Sequence, residues 1–219
     1  MHYKRIFPLM NASKVRLYSK SFEVMKKIVN FSILAIILAA TIAAAAQSNK
    51  PAELKAVVSV DLNKYSGKWF EIGKYPNKFQ KQCVGNTTAI YTVKGDGKLE
   101  VLNQCVKKDG SSNSAKAAGK VADKASNAKL KVRFAPGALS FLPFVWANYW
   151  IIDLDPNYEY AVIGEPKREY LWILSRKPDM AKSTYQEILK KVEGLGYNPG
   201  RIEKTPQNVE VLKGSVIER

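Results

Sequence analysis

Few residues of this 219-residue chain are suited to catalysis. Cys83 and Cys105 are the only cysteines, and His2 is the only histidine. Because His2 lies in an N-terminal segment that we expect to be removed, the remainder offers no histidine triad, histidine metal site or imidazole acid–base. The remaining candidates for a catalytic group are a cysteine thiol and Glu71, the one acidic residue of the first predicted strand. We therefore predict a protein that is not an enzyme and binds no metal or cofactor.

Residues 1–46 have the features of a secretory signal peptide. Two lysines precede an apolar run that ends in small residues at Ala46, which is typical of a cleaved signal. We expect cleavage before Gln47 and export to the periplasm or the cell exterior; residues 1–24 are either an over-extended start or a long basic leader. The alternative is a membrane anchor, since about 18 apolar residues would span a bilayer. A lipid anchor would need a cysteine at the cleavage point, and none is there.

The cysteines and the net charge fit an exported chain. An even number of cysteines in an exported protein predicts a disulfide between Cys83 and Cys105, with two free thiols or a redox site as the alternative. The formal net charge is +16, and residues 1–46 hold seven of the Lys and Arg residues and one acid, which leaves +10 for the rest. Such a surface attracts anionic membranes or polymers, or it is simply a solvated lysine-rich surface.

The elements that would position these residues are short β-strands. Residues 47–60 form a polar lead, and turn residues such as Gly95-Asp96-Gly97 then separate runs of β-type residues. Eight runs are predicted: Lys68–Lys74, Val84–Val93, Lys98–Cys105, Ala117–Ala122, Lys129–Phe134, Tyr149–Asp155, Tyr158–Gly164 and Tyr170–Arg176. Closing eight strands into an up-and-down antiparallel barrel removes both unpaired edges, and its interior is just wide enough for one small ligand.

One amphipathic α-helix follows the eighth run. Asp179 is its predicted start, and Gly194 or Gly196 its predicted end. A single helix cannot form a core of its own, so we expect it to pack on the outside of the barrel. The predicted all-β domain, barrel plus helix, therefore spans residues 61–205. A short strand near Val209–Leu212 and a tail make up residues 206–219.

Three motifs in this order resemble those of the lipocalin family. The first is the Gly-x-Trp of Gly67 and Trp69 on the first strand, the second lies within Tyr149–Tyr158, and the third within Tyr170–Arg176. The chain is most similar to bacterial lipocalins and apolipoprotein D. The resemblance implies a secreted carrier of a hydrophobic molecule, for which a fatty acid or lysophospholipid suits the energetics. The usual bacterial outer-membrane member is a lipoprotein, and this chain lacks the cysteine for that anchor.

Strand alternation predicts what meets at each end of the barrel. Trp69 begins the first strand and Arg176 ends the eighth, so both lie at the closed end, where a guanidinium can stack on the indole. We predict that Gly67, Trp69 and Arg176 are structural residues that close the barrel. Cys83 begins the second strand and Cys105 ends the third, so both lie at the open end.

Aromatic residues of the strands and of one loop are the predicted ligand contacts. These are Tyr91, Phe134, Trp146, Trp150, Tyr160 and Trp172. The alternative for the strand residues is packing on the outer face, because a face covered by the helix is as apolar as the interior.

The loop at residues 135–148 is unusually apolar for a connection at the mouth. We expect a lid, a contact with a membrane or another protein, or ordinary packing against neighbouring loops. No nucleic-acid partner is predicted, because no basic–aromatic stacking motif is present. An enzyme or a basic adhesive surface protein are the competing functions, and the oligomeric state is not predicted.

Overall fold

The computed structural model describes residues 23, 25–27, 29–32, 52–95, 97–134, 137–139, 141–212 and 215–218, with 211, 212 and 215–218 as backbone alone. The chain divides into two compact units, Met1–Pro51 and Ala52–Arg219. In the first unit the described residues are helical. Most of the predicted signal peptide, with its cleavage point, lies outside the described residues. Among the described helices, none is long and apolar enough to cross a membrane.

Among its described residues, the second unit contains eight barrel strands and two α-helices. The strands are β1 Gly67–Lys74, β2 Cys83–Lys94, β3 Lys98–Lys107, β4 Ser112–Val121, β5 Lys129–Arg133, β6 Ala147–Leu154, β7 Tyr160–Gly164 and β8 Leu171–Ser175. The helices are α1 Leu62–Tyr65 and α2 Lys182–Gly194. Three short strands follow: β9 Glu203–Lys204, β10 Val209–Leu212 and β11 Ser215–Glu218. Three-residue 3-10 helices lie at Gly137–Leu139, Pro143–Val145 and Pro199–Arg201.

The eight long strands form a closed antiparallel barrel. Each strand from β1 to β8 pairs with the next, and β1 pairs with both β2 and β8. The predicted fold is confirmed. β9 adds to β1, whereas β10 pairs with β11 in a separate two-stranded sheet, so the strand predicted near Val209–Leu212 does not join the barrel ladder.

The starts of β4 and α2 are the two boundaries whose difference from the prediction has an identifiable cause. β4 begins at Ser112, five residues before the predicted start at Ala117, because an unbroken ladder with β3 holds a stretch whose small polar residues give no β pattern. α2 begins after Ala181, which makes no side-chain cap, so Asp179 does not cap it. The helix ends before Gly196, whose φ of +84° is a conformation that glycine adopts readily.

Part of the segment before the barrel is buried, although its sequence predicts a polar lead. Leu54 and Val60 are both 3% exposed, and the Val57 amide donates to the Ile151 carbonyl at 2.9 Å. Leu54, Val57 and Val60, predicted as part of a polar lead, therefore pack with the barrel and its outer layer.

Alternation along the strands separates two apolar layers. The inner layer fills the closed half of the barrel and includes Trp69, Val101, Ile151, Ile163 and Leu174. The outer layer lies between the sheet and α2 and includes Ile152, Val162, Ile173, Ile188 and Val192. The helix thus packs outside the barrel, and both faces of β6–β8 are apolar.

Candidate functional site

The closed end of the barrel is built around Trp69. The Arg176 guanidinium lies 3.8 Å from the centroid of the Trp69 ring, and its Nη groups donate to the carbonyls of Lys68 at 2.9 Å and Lys64 at 2.5 Å. Gly67 has a φ of +93°, and a Cβ there would lie 3.4 Å from Arg176 Nη1. The structure therefore brings Gly67, Trp69 and Arg176 together at this end.

Three tyrosine hydroxyls meet just above that closed end. The Tyr149 hydroxyl lies 2.6 Å from that of Tyr65 and 2.7 Å from that of Tyr91. Burial raises the pKa of Tyr91 to about 12 and raises the pKa values of Tyr65 and Tyr149 well above their ordinary value. All three are therefore neutral hydrogen-bonding groups at physiological pH.

Sequence reasoning identified Tyr91 among these three and missed the other two. Tyr65 ends α1, outside every predicted strand, and carried no signal of its own. Tyr149 begins the predicted sixth run, and its alternation with Ile151 would have placed it inside once Ile151 was known to be inward.

A second polar group lies further up the interior. The Glu71 carboxylate accepts hydrogen bonds from Thr205 Oγ1 and Gln80 Nε2, both at 2.6 Å. Gln80 Oε1 in turn accepts from the Trp172 indole at 3.0 Å. Burial raises the pKa of Glu71, and the two donors oppose that shift only in part. Trp172, a predicted ligand contact, thus faces the interior and is anchored there.

Several inward-facing side chains toward the open end remain partly exposed to solvent. Ala115 and Asn103 are cross-strand partners on the same face as the buried Ala117 and Val101, and both are partly accessible. Trp172 packs against the inner layer and is likewise partly accessible. The interior is therefore filled at the closed end and accessible toward the open end.

Two of the predicted ligand contacts lie on the outer face. Trp150 packs against the outer layer, with Lys129 Nζ 4.4 Å from its ring centroid. Tyr160 also packs there, and its hydroxyl donates to Asp153 at 3.2 Å and accepts from Lys191 at 2.8 Å. The prediction that they contact an interior ligand is corrected, because the helix makes the outer face of these strands as apolar as the inner one.

The remaining two predicted contacts, Phe134 and Trp146, border the loop between β5 and β6. Trp146 is placed between cations, with Lys120 Nζ 4.1 Å and the Arg133 guanidinium 5.1 Å from its ring centroid. Because Gly119 faces inward, the adjacent Lys120 faces outward. The Trp146 indole that lies against Lys120 therefore covers the outer face of β4 and β5. Phe134 is 54% exposed just beyond β5. Trp146 therefore does not line the interior, and the prediction that it contacts an interior ligand is corrected. Phe134 stays a predicted contact at the rim.

The rim of the open end carries the disulfide. Cys83 and Cys105 are bonded with a Cα–Cα distance of 5.6 Å. The pairing of β2 with β3 has two register irregularities beside the disulfide, between Cys83 and Gly85 and between Gly85 and Thr88. At the rim itself, Lys74 and Lys107 lie on the inner face of their strands.

The loop between β5 and β6 presents apolar side chains to solvent. Phe141 and Phe144 are 76% and 79% exposed, and Leu139 is 40% exposed. Such large exposed apolar side chains, close together in sequence, are typical of a contact surface.

Comparison with known proteins places this barrel in a family. The family model described as a lipocalin-like domain matches residues 60–207. The chain belongs to the lipocalin family. Members of this family typically bind small hydrophobic ligands and are generally not enzymes.

Lipocalins of very different organisms resemble this one along most of their length. Temperature-induced lipocalin-1 of Arabidopsis thaliana is 38% identical over 157 residues, covering 71% of this chain and 84% of the relative. Outer membrane lipoprotein Blc of Escherichia coli K12 is 31% identical over 171 residues, or 76% and 92%. Apolipoprotein D of Mus musculus is 35% identical over 156 residues, or 67% and 77%.

Solved structures agree on the fold. Insecticyanin from Manduca sexta superposes with a TM-score of 0.56 at 20% identity, covering 71% of this lipocalin and 85% of insecticyanin. Within the described part of the chain, no three His, Cys, Asp or Glu side chains are grouped as a metal site.

Proposed function

We propose that this lipocalin is an exported, non-enzymatic carrier of a fatty acid or lysophospholipid held inside the barrel. The observation that carries the proposal is the inner face, which is open toward the rim at Asn103 and Ala115 and lined by the anchored indole of Trp172.

Charge placement favours a ligand whose charged head stays at the rim. On the inner faces of β1–β8, Lys and Arg occur only at the open end, where Lys74 bonds Glu203 at 3.0 Å and Lys107 pairs with Asp109 at 3.6 Å. A carboxylate buried deeper would lose its hydration without gaining a cation. Each buried methylene of the tail gains roughly 0.8 kcal/mol, enough for micromolar affinity after ordering costs.

Tryptophan fluorescence tests the binding directly. Palmitic acid and lysophosphatidylcholine are titrated separately, and we expect saturable quenching at one ligand per barrel. Trp172→Phe should remove most of the quenching, whereas the matched variant Trp150→Phe should retain it, because Trp150 faces outward. No saturable response to either lipid, or loss of quenching in Trp150→Phe alone, would refute the proposal.

Membrane contact through loop 135–148 is the second part of the proposal. It is supported by the exposed rings of Phe141 and Phe144 and by Lys120 and Lys131 on the adjoining outer face, where neither lysine forms a salt bridge with a described residue. Apolar tips beside cations suit the interface of an anionic membrane.

Co-sedimentation with vesicles separates this contact from the alternatives. Binding to vesicles rich in phosphatidylglycerol should exceed binding to phosphatidylcholine vesicles and should fall with salt. Phe141→Ser with Phe144→Ser should weaken it, whereas Val58→Ser, at an exposed apolar residue away from the loop, should not. A lid predicts instead that the double variant alters lipid affinity and leaves vesicle binding unchanged.

Export completes the proposal. It is supported by the basic and apolar composition of residues 1–46 and by relatives named as outer membrane lipoproteins. Mass spectrometry of the protein recovered outside the cytoplasm should give Gln47 as its first residue, with residues 47–60, 61–205 and 206–219 as lead, lipocalin domain and tail. Recovery of a product that retains residues 33–46 in the membrane would favour the anchor instead.

A further inference from the structure

Four lysines stand side by side across the outer face of the barrel, near its closed end. Lys94 of β2 lies directly opposite Lys98 of β3, which lies directly opposite Lys120 of β4. Lys120 is in turn opposite Lys131 of β5, and residues paired in this way share one face of a sheet. We call these four residues the lysine row; three are exposed and Lys131 is partly exposed. Because adjacent strands lie about 4.8 Å apart, the row presents one cation at each such step over roughly 14 Å.

The stability of the barrel does not account for this row. Like charges directly opposite each other on neighbouring strands destabilise a sheet, and every adjacent pair in the row is of this kind. None of the four lysines forms a salt bridge with a described residue. Further outer positions of β3–β5 hold Lys116, Lys129 and Arg133 against the single acidic residue Glu100. The row is therefore a cationic surface that favours an anionic partner.

The shape of the barrel wall favours a chain-like partner for the row. β2–β5 are four consecutive strands of a closed barrel, so the row follows the curved wall around the molecule. A flat bilayer touches a curved wall along one or two strands, whereas a flexible polymer can follow it across all four. The row also lies at the closed end, whereas the apolar loop between β5 and β6 lies at the open end.

The polar residues beside the row indicate which polymer fits. Asn148 of β6 continues the row beyond Lys131, and Thr92 lies two residues from Lys94 on the same strand face; both are exposed. Amide and hydroxyl groups of this kind hydrogen-bond to sugar hydroxyls, whereas proteins that bind single-stranded nucleic acid stack its bases on aromatic rings. A linear polyuronate carries one carboxylate on every sugar, and one sugar unit is about as long as the spacing between strands.

We propose that the lysine row is a docking surface for a linear acidic polysaccharide, whose successive carboxylates lie on successive lysines as the chain crosses β2–β5. The inference goes beyond the proposed carrier function, because neither the barrel interior nor the apolar loop takes part in it. Since the row lies at the closed end, a polysaccharide bound there leaves the mouth of the barrel accessible to a ligand.

Fluorescence anisotropy of a labelled oligogalacturonate, measured with the full chain at low salt, tests the surface. Lys94→Gln with Lys98→Gln should weaken binding about fivefold, because it removes two contacts of the size of exposed ion pairs. The same variant should make the affinity less dependent on salt, since fewer counterions are released on binding. The matched variant Lys182→Gln with Lys190→Gln removes the same charge from exposed positions of α2 and should change neither quantity.

Other probes separate the classes of partner. Oligogalacturonate with methyl-esterified carboxyl groups keeps the sugar chain but loses the charge, so it should bind at least about tenfold more weakly. An oligothymidylate of equal charge should also bind more weakly than the acidic sugar. Phe141→Ser with Phe144→Ser should leave oligogalacturonate binding unchanged, because the loop does not belong to the row.

Several results would overturn the docking surface. These are equal losses in the two double lysine variants, equal binding of the esterified oligomer, tighter binding of oligothymidylate, or a loss in Lys94→Gln with Lys98→Gln that is confined to phosphatidylglycerol vesicles. None of them bears on the carrier function, which depends on tryptophan quenching by palmitic acid or lysophosphatidylcholine.

Discussion

Replacing Arg176 by lysine isolates what the guanidinium contributes to the closed end. Lysine keeps the charge and can reach one carbonyl, but it cannot donate to Lys64 and Lys68 together while lying flat 3.8 Å from the Trp69 ring. The variant loses at least one charged hydrogen bond, worth about 2 kcal/mol, and part of a desolvated cation–π contact, worth about 1 kcal/mol. We expect Arg176→Lys to lower the free energy of unfolding by about 3 kcal/mol.

Urea unfolding followed by far-ultraviolet circular dichroism measures this loss. Arg201→Lys is the matched control, because the Arg201 guanidinium lies 4.4 Å from the Tyr75 ring but is exposed. Its loss should stay below about 1 kcal/mol, as for a solvated cation–π contact. If Arg176→Lys costs no more than Arg201→Lys, the stacked, doubly bonded guanidinium does not hold the barrel floor together.

Three further perturbations probe other parts of the barrel. Burial raises the pKa of Glu71, so the folded protein keeps a proton that the unfolded chain releases. The free energy of unfolding should therefore fall as pH rises above 4.5, the ordinary pKa of the group. Urea unfolding at about pH 5 and pH 8 should show a larger loss of this free energy in the unaltered protein than in Glu71→Gln. Reducing the disulfide, which spans 22 positions, should cost about 3 kcal/mol by the same melts with and without dithiothreitol. Gly164→Ala places a methyl group against the Tyr197 hydroxyl and should cost about 2 kcal/mol in thermal unfolding, whereas Gly95→Ala meets nothing within 4 Å and should be nearly neutral.

The barrel itself was predictable because each strand carries its own signal. Alternating apolar residues and tight turns marked eight runs, and seven of them begin within two residues of the observed strands. The exception is β4, whose residues from Ser112 to Lys116 are small or polar. The first half of β4 is a strand because it pairs with β3 without interruption. Pairing between strands is not visible in the residues of one strand alone.

The ligand contacts were less predictable, because alternation divides a strand into two faces but does not tell which face points into the barrel. Trp150 and Ile151 are adjacent and both apolar, and only the pairing of Trp150 with Lys129 on the outer face shows which of them points inward. The apolar layer beneath α2 removes the usual polar marker from that face. Tyr91 and Trp172 face the interior. Tyr65 and Tyr149, which lie beside Tyr91 near the closed end, could be recognised as its neighbours only from the folded structure.

The outer and inner faces of the barrel wall differ in charge, which suits two separate roles. On β4 and β5 the lysines occupy alternate outer positions, so neighbouring inner positions are neutral by the geometry of the strand. Salt therefore screens the outer face strongly and the enclosed interior little. Under the proposed function, membrane attachment should therefore respond to ionic strength and lipid charge, whereas ligand affinity should respond to the length of the lipid chain. The proposed carrier would then keep its ligand while it attaches to and leaves an anionic membrane.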